Sequence, residues 1–137
     1  MRLFGDFHDA VLREAHLWTK HWVGDKLGMA VGVGLDTRVR MLFQRQSRPV
    51  SAIELLFEEV VRLNVIPSPE GYEGSIFTAT LFHDKRMFFW AEEGKWRPGE
   101  DDSDRVTWIS ARRLYWRDAS DWMGESLHYG ARTPPVP

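Results

Sequence analysis

Two His-Asp dipeptides are the residues of this sequence most suited to chemistry. His8 and Asp9 lie near the N-terminus, and His83 and Asp84 lie in the second half of the chain. Imidazole nitrogens and carboxylate oxygens are common metal ligands, so two such pairs from separate strands could share one ion. However, Asp84 suits a tight turn and Asp9 suits a capping position. The sequence therefore predicts no metal and no cofactor, and it leaves His8, Asp9, His83 and Trp90 as a hypothetical small-ligand site.

A cluster of arginines is the second candidate, because folding into a sheet would bring two arginine-rich segments together. An arginine- and aromatic-bearing sheet face commonly holds single-stranded nucleic acid. The net charge of −2 and the pI near 6.2 argue against a dedicated nucleic-acid binder. Cross-strand ion pairs with Glu14, Glu54 and Glu58 are the favoured interpretation. The candidate partner-binding residues are Arg38, Arg40, Arg112, Arg113, Tyr115 and Arg117, with Arg45 and Arg48 in the same basic cluster.

No catalytic residue is predicted. Serines and histidines are present, but no GxSxG nucleophile elbow accompanies them. The adjacent carboxylates Glu58-Glu59 and Glu92-Glu93 could share a proton only if both members of a pair faced one site. Adjacent residues of a regular strand point to opposite faces, so both pairs are interpreted as solvent-facing charge.

Other features exclude further classes of function. The absence of cysteine rules out disulfides and thiolate sites, and it fits a reducing compartment. Residues 23–35 contain four glycines but neither GxxxxGK[ST] nor GxGxxG, so they predict an irregular connection or edge. Polar residues interrupt the N-terminal segment, and no apolar run approaches about 18 residues, so neither a signal peptide nor a membrane span is predicted. We expect a single cytoplasmic domain over 1–137, with a loose tail from about residue 127.

The elements that must position these residues are predicted to be strands. Residues 38–46 and 51–65 both alternate between apolar and polar side chains, with an irregularity at Glu59. A hairpin register that puts the apolar residues of both segments on one face also places Arg38 opposite Glu58. Its apolar face contains Phe43 opposite Ile53, Met41 opposite Leu55 and Val39 opposite Phe57, and it continues with Val61, Leu63 and Val65.

Two of these segments also have helical features. Ser51 and Glu54 form a capping box, and the apolar residues that follow have roughly helical spacing. The parity match and the β-branched residues favour a strand over 51–64. Residues 7–18 are similarly ambiguous, and a strand is predicted there because the following segments need β partners.

The remaining chain predicts a second hairpin and a last strand. Residues 75–91 form the hairpin, with a turn at Asp84 and Lys85, and 105–117 form one strand with a kink near Ser110 and Ala111. The predicted fold class is mainly β, an antiparallel sheet or β-sandwich of about six strands with little helix.

Three segments together resemble a group of short bacterial proteins with no established function. They are FHDAVLRE at 7–14, the FQRQ-to-IEL segment within 38–67, and TWISARRLYWR at 107–117. The group's pattern is FHDS, FQRQ-x-x-NPS-x-IEL-x-FE and TWI-x-A-x-x-L-x-WR. This chain departs from it in having Val50 in place of the asparagine-proline order, and at Glu59, where a glycine is frequent. The group commonly has IELEFEGL in the second segment, which implies a strand there.

The favoured function is non-catalytic binding of a protein partner, in the manner of small β-rich immunity proteins of similar length. Seven tryptophans and eight phenylalanines leave aromatic residues for an interface. One alternative is a small-ligand-binding or enzymatic β domain with a site near His8 and His83. The other is single-stranded nucleic-acid binding through the arginine- and aromatic-bearing face.

Overall fold

The structure is a computed structural model that describes residues 2–130. Nine strands and two short 3-10 segments make up its regular structure. In chain order these are a 3-10 segment at Arg2–Phe7, β1 Ala10–Trp18, β2 Trp22–Val23, β3 Met29–Ala30, β4 Arg38–Arg45, β5 Ala52–Asn64, β6 Ser75–Ile76, β7 Thr80–Asp84, β8 Met87–Ala91, a 3-10 segment at Ser103–Arg105 and β9 Trp108–Asp118. The prediction of a mainly β fold with little helix is confirmed.

Seven strands form one curled antiparallel sheet in the order β6-β1-β4-β5-β9-β8-β7. The two edge strands, β6 and β7, are separated in the chain by only residues 77–79. The sheet must therefore curl until its edges meet. The N-terminal segment closes the junction, because Ala79 N donates to Asp6 O at 3.1 Å and Asp9 N donates to Ile76 O at 2.9 Å.

The central hairpin has the predicted register. Val39 pairs with Phe57, Met41 with Leu55 and Phe43 with Ile53, and all six side chains are buried. Residues 51–64 are therefore a strand rather than a helix, because both faces of the pairing are satisfied at once. The predicted ion pair also forms, with Arg38 Nε 3.8 Å from Glu58 Oε1.

The irregularity predicted at Glu59 is present as a backbone φ of +52°, and a β-bulge follows it at Val61, where the register with β9 shifts between Val60 and Arg62. Across these two irregularities, Val60 and Leu63 pack in the core and Val61 is exposed. The prediction that Val61 and Val65 continue the buried face is therefore wrong. The kink predicted near Ser110 and Ala111 lies at this place, but the extra residue belongs to β5.

The second predicted hairpin is only partly correct. β7 and β8 pair from Thr80 with Ala91 to Asp84 with Met87, so the turn residues are Lys85 and Arg86 rather than Asp84 and Lys85. Both turn residues have positive φ, as a two-residue hairpin requires. Ser75 and Ile76 pair with β1 at the other edge of the sheet. Continuous alternation across residues 75–83 hid this change of partner.

The main core fills the inside of the curled sheet. An aromatic group lies at its centre, where the ring of Phe43 is 4.9 Å from Phe7 and 5.0 Å from Trp90. The other buried members are Phe4 of the N-terminal segment, Phe57 of β5, and aliphatic side chains from β1, β4, β5, β6, β9 and the connection between β4 and β5. Trp90 is fully buried here.

A smaller apolar group lies on the outer face of the sheet. Residues 119–130 cross this face, and Ala119 and Trp122 pack over Leu42 and Ala52. Gln44 Nε2 donates to Trp122 O at 2.9 Å, which holds the segment against β4. Of the predicted loose tail, residues 131–137 lie outside the described residues. Before them, His128 N and Tyr129 N both donate to the carboxylate of Glu14 at about 3.0 Å.

Candidate partner-binding surface

Residues 19–37, called here the arm, form a small hairpin outside the main sheet. β2 and β3 pair through Trp22 with Ala30 and Val23 with Met29. The connecting turn is closed by hydrogen bonds of 2.8 Å from Gly24 N to Gly28 O and from Leu27 N to Gly24 O. The arm presents seven large apolar side chains to solvent, namely Trp22, Val23, Leu27, Met29, Val31, Val33 and Leu35.

His21 organises the base of the arm through both ring nitrogens. Gly32 N donates to His21 Nδ1 at 3.2 Å, so Nδ1 is the unprotonated nitrogen of the ring. His21 Nε2 lies 2.8 Å from Asp36 Oδ2. Because that oxygen has no hydrogen-bond partner of acceptable geometry among the described residues, this contact is electrostatic rather than a well-aligned hydrogen bond. The two contacts join the beginning of the arm to its end.

A charged cleft of about 240 Å³, called here the base cleft, separates the arm from the sheet. Arg113 Nε lies 3.3 Å from Glu59 Oε2, beside the ion pair of Arg38 and Glu58. Lys20 forms no ion pair with any described residue. The cleft therefore combines three cations with three anions, and it is lined by Lys20, Leu35, Asp36, Arg38, Glu58, Glu59 and Arg113.

The irregularity at Glu59 places two adjacent carboxylates in this one cleft. On a regular strand Glu58 and Glu59 would point to opposite faces. The positive φ of Glu59 brings its side chain to the outer face beside that of Glu58. The expectation that these two carboxylates face apart is therefore wrong. Each is neutralised by its own arginine, so the arrangement is an ion-pair network rather than a carboxylate pair sharing a proton.

The predicted arginine and aromatic residues continue this surface across the outer face. Strand pairing aligns them in two rows. Arg40 lies 5.3 Å from the ring of Trp18, in a cation–π contact that holds both side chains on the face. Tyr115 is half exposed, and Arg112 is exposed beside Arg113. The first row is Trp18, Arg38, Glu58 and Arg113, and the second is His16, Arg40, Leu56 and Tyr115.

Residues 119–130 cover the next row of the outer face, which contains Glu54 and Arg117. The carboxylate of Glu54, only 5% exposed, receives hydrogen bonds from Arg117 Nε at 2.8 Å and from the Tyr129 hydroxyl at 2.6 Å. Burial and the bond to Glu54 raise the pKa of the Tyr129 hydroxyl far above its ordinary value, so it remains a donor. Arg117 also stacks 4.4 Å from the ring of Trp122. Arg117 is thus part of the structure of this face.

The residues of the hypothetical small-ligand site have different surroundings in the structure, and no single cavity found among the described residues contains them all. His8 Nδ1 lies 2.6 Å from Phe77 O, and Nε2 lies 3.3 Å from Asp9 Oδ2. His83 is on β7, where its ring centroid lies 4.5 Å from that of Phe88, and Trp90 is inside the core. Among residues 2–130 there is no group of three or more His, Asp or Glu side chains that could hold a metal.

Comparison with known proteins adds no assignment, because no protein-family model, curated protein or solved structure matches the chain. Within the described part of the chain, no helix is long and apolar enough to cross a membrane.

The exposed apolar surface of the arm is a candidate binding feature that the sequence patterns above do not predict. One signal was present, because residues 27–35 carry no charge and alternate Leu, Met and Val with Gly and Ala. Such alternation is typical of a strand with one apolar face. It does not say whether that face is buried, and only the structure shows that the side chains are exposed.

Proposed function

We propose that the protein is a non-catalytic binding protein and that its partner is another protein, which docks on the arm and the base cleft. The exposed apolar side chains of the arm are the observation that carries this proposal. Soluble proteins rarely group so many large apolar side chains at the surface unless the surface binds something. The hydrogen bonds within the turn and the contacts of His21 order the arm before binding, which reduces the entropy lost on association.

The charges beside the arm favour a protein over a nucleic acid. Nucleic acids select surfaces with an excess of cations. Here the three cations of the base cleft are matched by Asp36, Glu58 and Glu59. An apolar centre with a mixed polar margin is the ordinary composition of a protein interface. The immunity-like role and the cytoplasmic location belong to this proposal. The role rests on the chain length and β-rich character that the protein shares with small immunity proteins, and the location rests on the lack of cysteine.

The test begins with capture of partners from the lysate of the source organism on immobilised wild-type protein, followed by mass spectrometry. The affinity of the purified partner is then measured by calorimetry for Trp22→Ser, Val33→Ser and Arg113→Ala. We expect Trp22→Ser to weaken binding by more than about tenfold, because an aromatic side chain at the centre of an interface is commonly a hot spot. Arg113→Ala, at the margin, should have a smaller and salt-dependent effect.

Tyr72→Ser is the matched control, because Tyr72 is an exposed aromatic residue outside the arm. It should leave the affinity unchanged. Equal affinities for Trp22→Ser and wild type, or an equal loss in Tyr72→Ser, would remove the arm from the binding site. Salt-dependent binding of labelled oligonucleotides that Arg40→Ala abolishes would favour the nucleic-acid alternative instead.

A further inference from the structure

A second cleft, called here the turn cleft, lies at the end of β4 opposite the arm. It follows the connection between β4 and β5 and has a volume of about 520 Å³. Its lining contains two guanidinium groups, three hydroxyls and one amide but no carboxylate, although the chain as a whole is acidic with a net charge of −2. The lining residues are Arg45, Gln46, Ser47, Arg48, Pro49, Ser51, Ser120 and Met123.

The guanidinium group of Arg45 is fixed before any ligand arrives. Arg45 Nε donates to Val50 O at 2.7 Å, and the group lies 4.6 Å from the ring of Phe4. Gly5 leaves room for it, because a Cβ at that position would lie 3.0 Å from Arg45 Nη1. A cation held in this way loses little side-chain entropy on binding an anion.

The hydroxyls of the turn cleft differ in their freedom to donate. Ser120 Oγ donates to Asp118 Oδ1 at 2.5 Å and accepts from Ser51 N at 3.0 Å. Ser120 therefore lines the cleft, but its hydroxyl proton is already used within the protein. Ser47 and Arg48 are exposed, and Arg48 forms no ion pair with the described residues. Arg45 and Arg48 are the two positively charged residues among those that line the cleft.

We propose that the turn cleft binds a phosphate group, free or as a phosphomonoester, between Arg45 and Arg48 with Ser47 and Ser51 as hydroxyl donors. Guanidinium groups match the tetrahedral oxyanion with paired N–H donors. An adjoining hollow of about 620 Å³ shares Arg45, Gln46 and Met123 with the cleft and is also lined by Asp9 and Glu73. Its carboxylates suit hydroxyl or amino groups on the organic part of an ester. This site does not depend on the proposed protein partner.

The test is a thermal-shift titration with sodium phosphate and with glycerol phosphate, each against sodium chloride at equal ionic strength and with glycerol as a further control. A ligand that binds only the folded state raises Tm as its concentration exceeds Kd. We expect both phosphates to raise Tm relative to chloride, and Arg48→Ala to increase the half-saturating concentration roughly tenfold or more. Ser47→Ala should have a smaller effect.

Arg105→Ala is the matched control, because Arg105 is an exposed arginine at the other end of β9. It should bind phosphate as the wild type does. Tighter binding of glycerol phosphate than of phosphate would assign the adjoining hollow to the organic part, and equal binding would assign the site to free phosphate. Absence of any shift beyond that of chloride, or an unchanged half-saturating concentration in Arg48→Ala, would overturn the proposal.

Discussion

Glu59 shows how one backbone conformation decides which side chains share a surface. Its positive φ turns its carboxylate towards the base cleft, beside that of Glu58. This conformation is unfavourable for a residue with a Cβ and costs about 1–2 kcal/mol. The exposed ion pair with Arg113 offsets at most about 1 kcal/mol of this. Glu59 therefore keeps a strained conformation where a glycine would be relaxed.

The first prediction compares Glu59→Gly with Glu59→Ala. Both substitutions remove the ion pair with Arg113, but only glycine relieves the strain of the positive φ. We expect the glycine variant to be more stable than the alanine variant by about 1 kcal/mol in urea denaturation. An alanine variant at least as stable as the glycine variant would show that the backbone conformation of Glu59 is not strained.

The second prediction concerns the pH dependence of Glu92. Burial raises the pKa of this carboxyl above its ordinary value, so the folded state disfavours the charged form. Above the pKa of the folded state the group is ionised in both states, and its burial then lowers the stability of the fold. This penalty disappears as the pH falls through the pKa of the folded state. We expect Glu92→Gln to raise Tm at pH 7 and to lose that advantage below the ordinary carboxyl pKa of about 4.3.

The control for Glu92 is Glu93→Gln, because Glu93 is exposed in the same loop. It should change Tm little at either pH. A Glu92→Gln variant whose effect on Tm is the same at pH 7 and at pH 4 would contradict the assignment of the penalty to ionisation.

At the scale of elements, the sequence predicts those strands whose two faces differ along their length. The β4–β5 register follows from alternation on both strands, because any other parity would bury charges. β2 has only two residues, which is too short for a periodic signal, and β3 and β6 are two-residue parts of longer alternating stretches that do not mark where the strands end. The change of partner between Ile76 and Thr80 also depends on closure of the sheet, which local pattern does not record. Of the candidate surface, the sequence predicts the arginine and aromatic rows, which lie on the long strands. It does not predict the exposure of the arm, because local pattern does not record whether an apolar face is buried.

The third prediction concerns the arm. His21→Ala removes the acceptor of the Gly32 N–H and the contact with Asp36, so the amide of Gly32 should exchange faster with solvent. His21→Asn places an oxygen near the position of Nδ1 and should restore protection of that amide. Because the arm contributes no residue to the buried core, Tm should change little in either variant. Amide exchange measured by NMR checks this, and equal protection of Gly32 in the wild type and His21→Ala would contradict it.

At the scale of the whole molecule, curling joins the two edges of the sheet through one short segment. Residues 75–84 pair with β1 at one end and with β8 at the other. The side chain of Ile76 is buried in the same core as Trp90 of β8. Neither edge of the sheet can therefore detach without disturbing the core packing that the two edges share. This arrangement predicts that the sheet opens as a single cooperative unit, although its strands are far apart in the sheet order.

The last prediction tests this cooperativity with Ile76→Ala. Truncating a buried isoleucine should destabilise the fold by about 2–5 kcal/mol. If the sheet opens as one unit, native-state hydrogen exchange should show the same loss of protection for the slowest amides of β1 and β8. Val61→Ala, which alters an exposed side chain of β5, should change protection little. Loss of protection confined to β1 would mean that the junction of β6 and β1 opens independently, and the segment 75–84 would then bridge two separate units instead of closing one sheet.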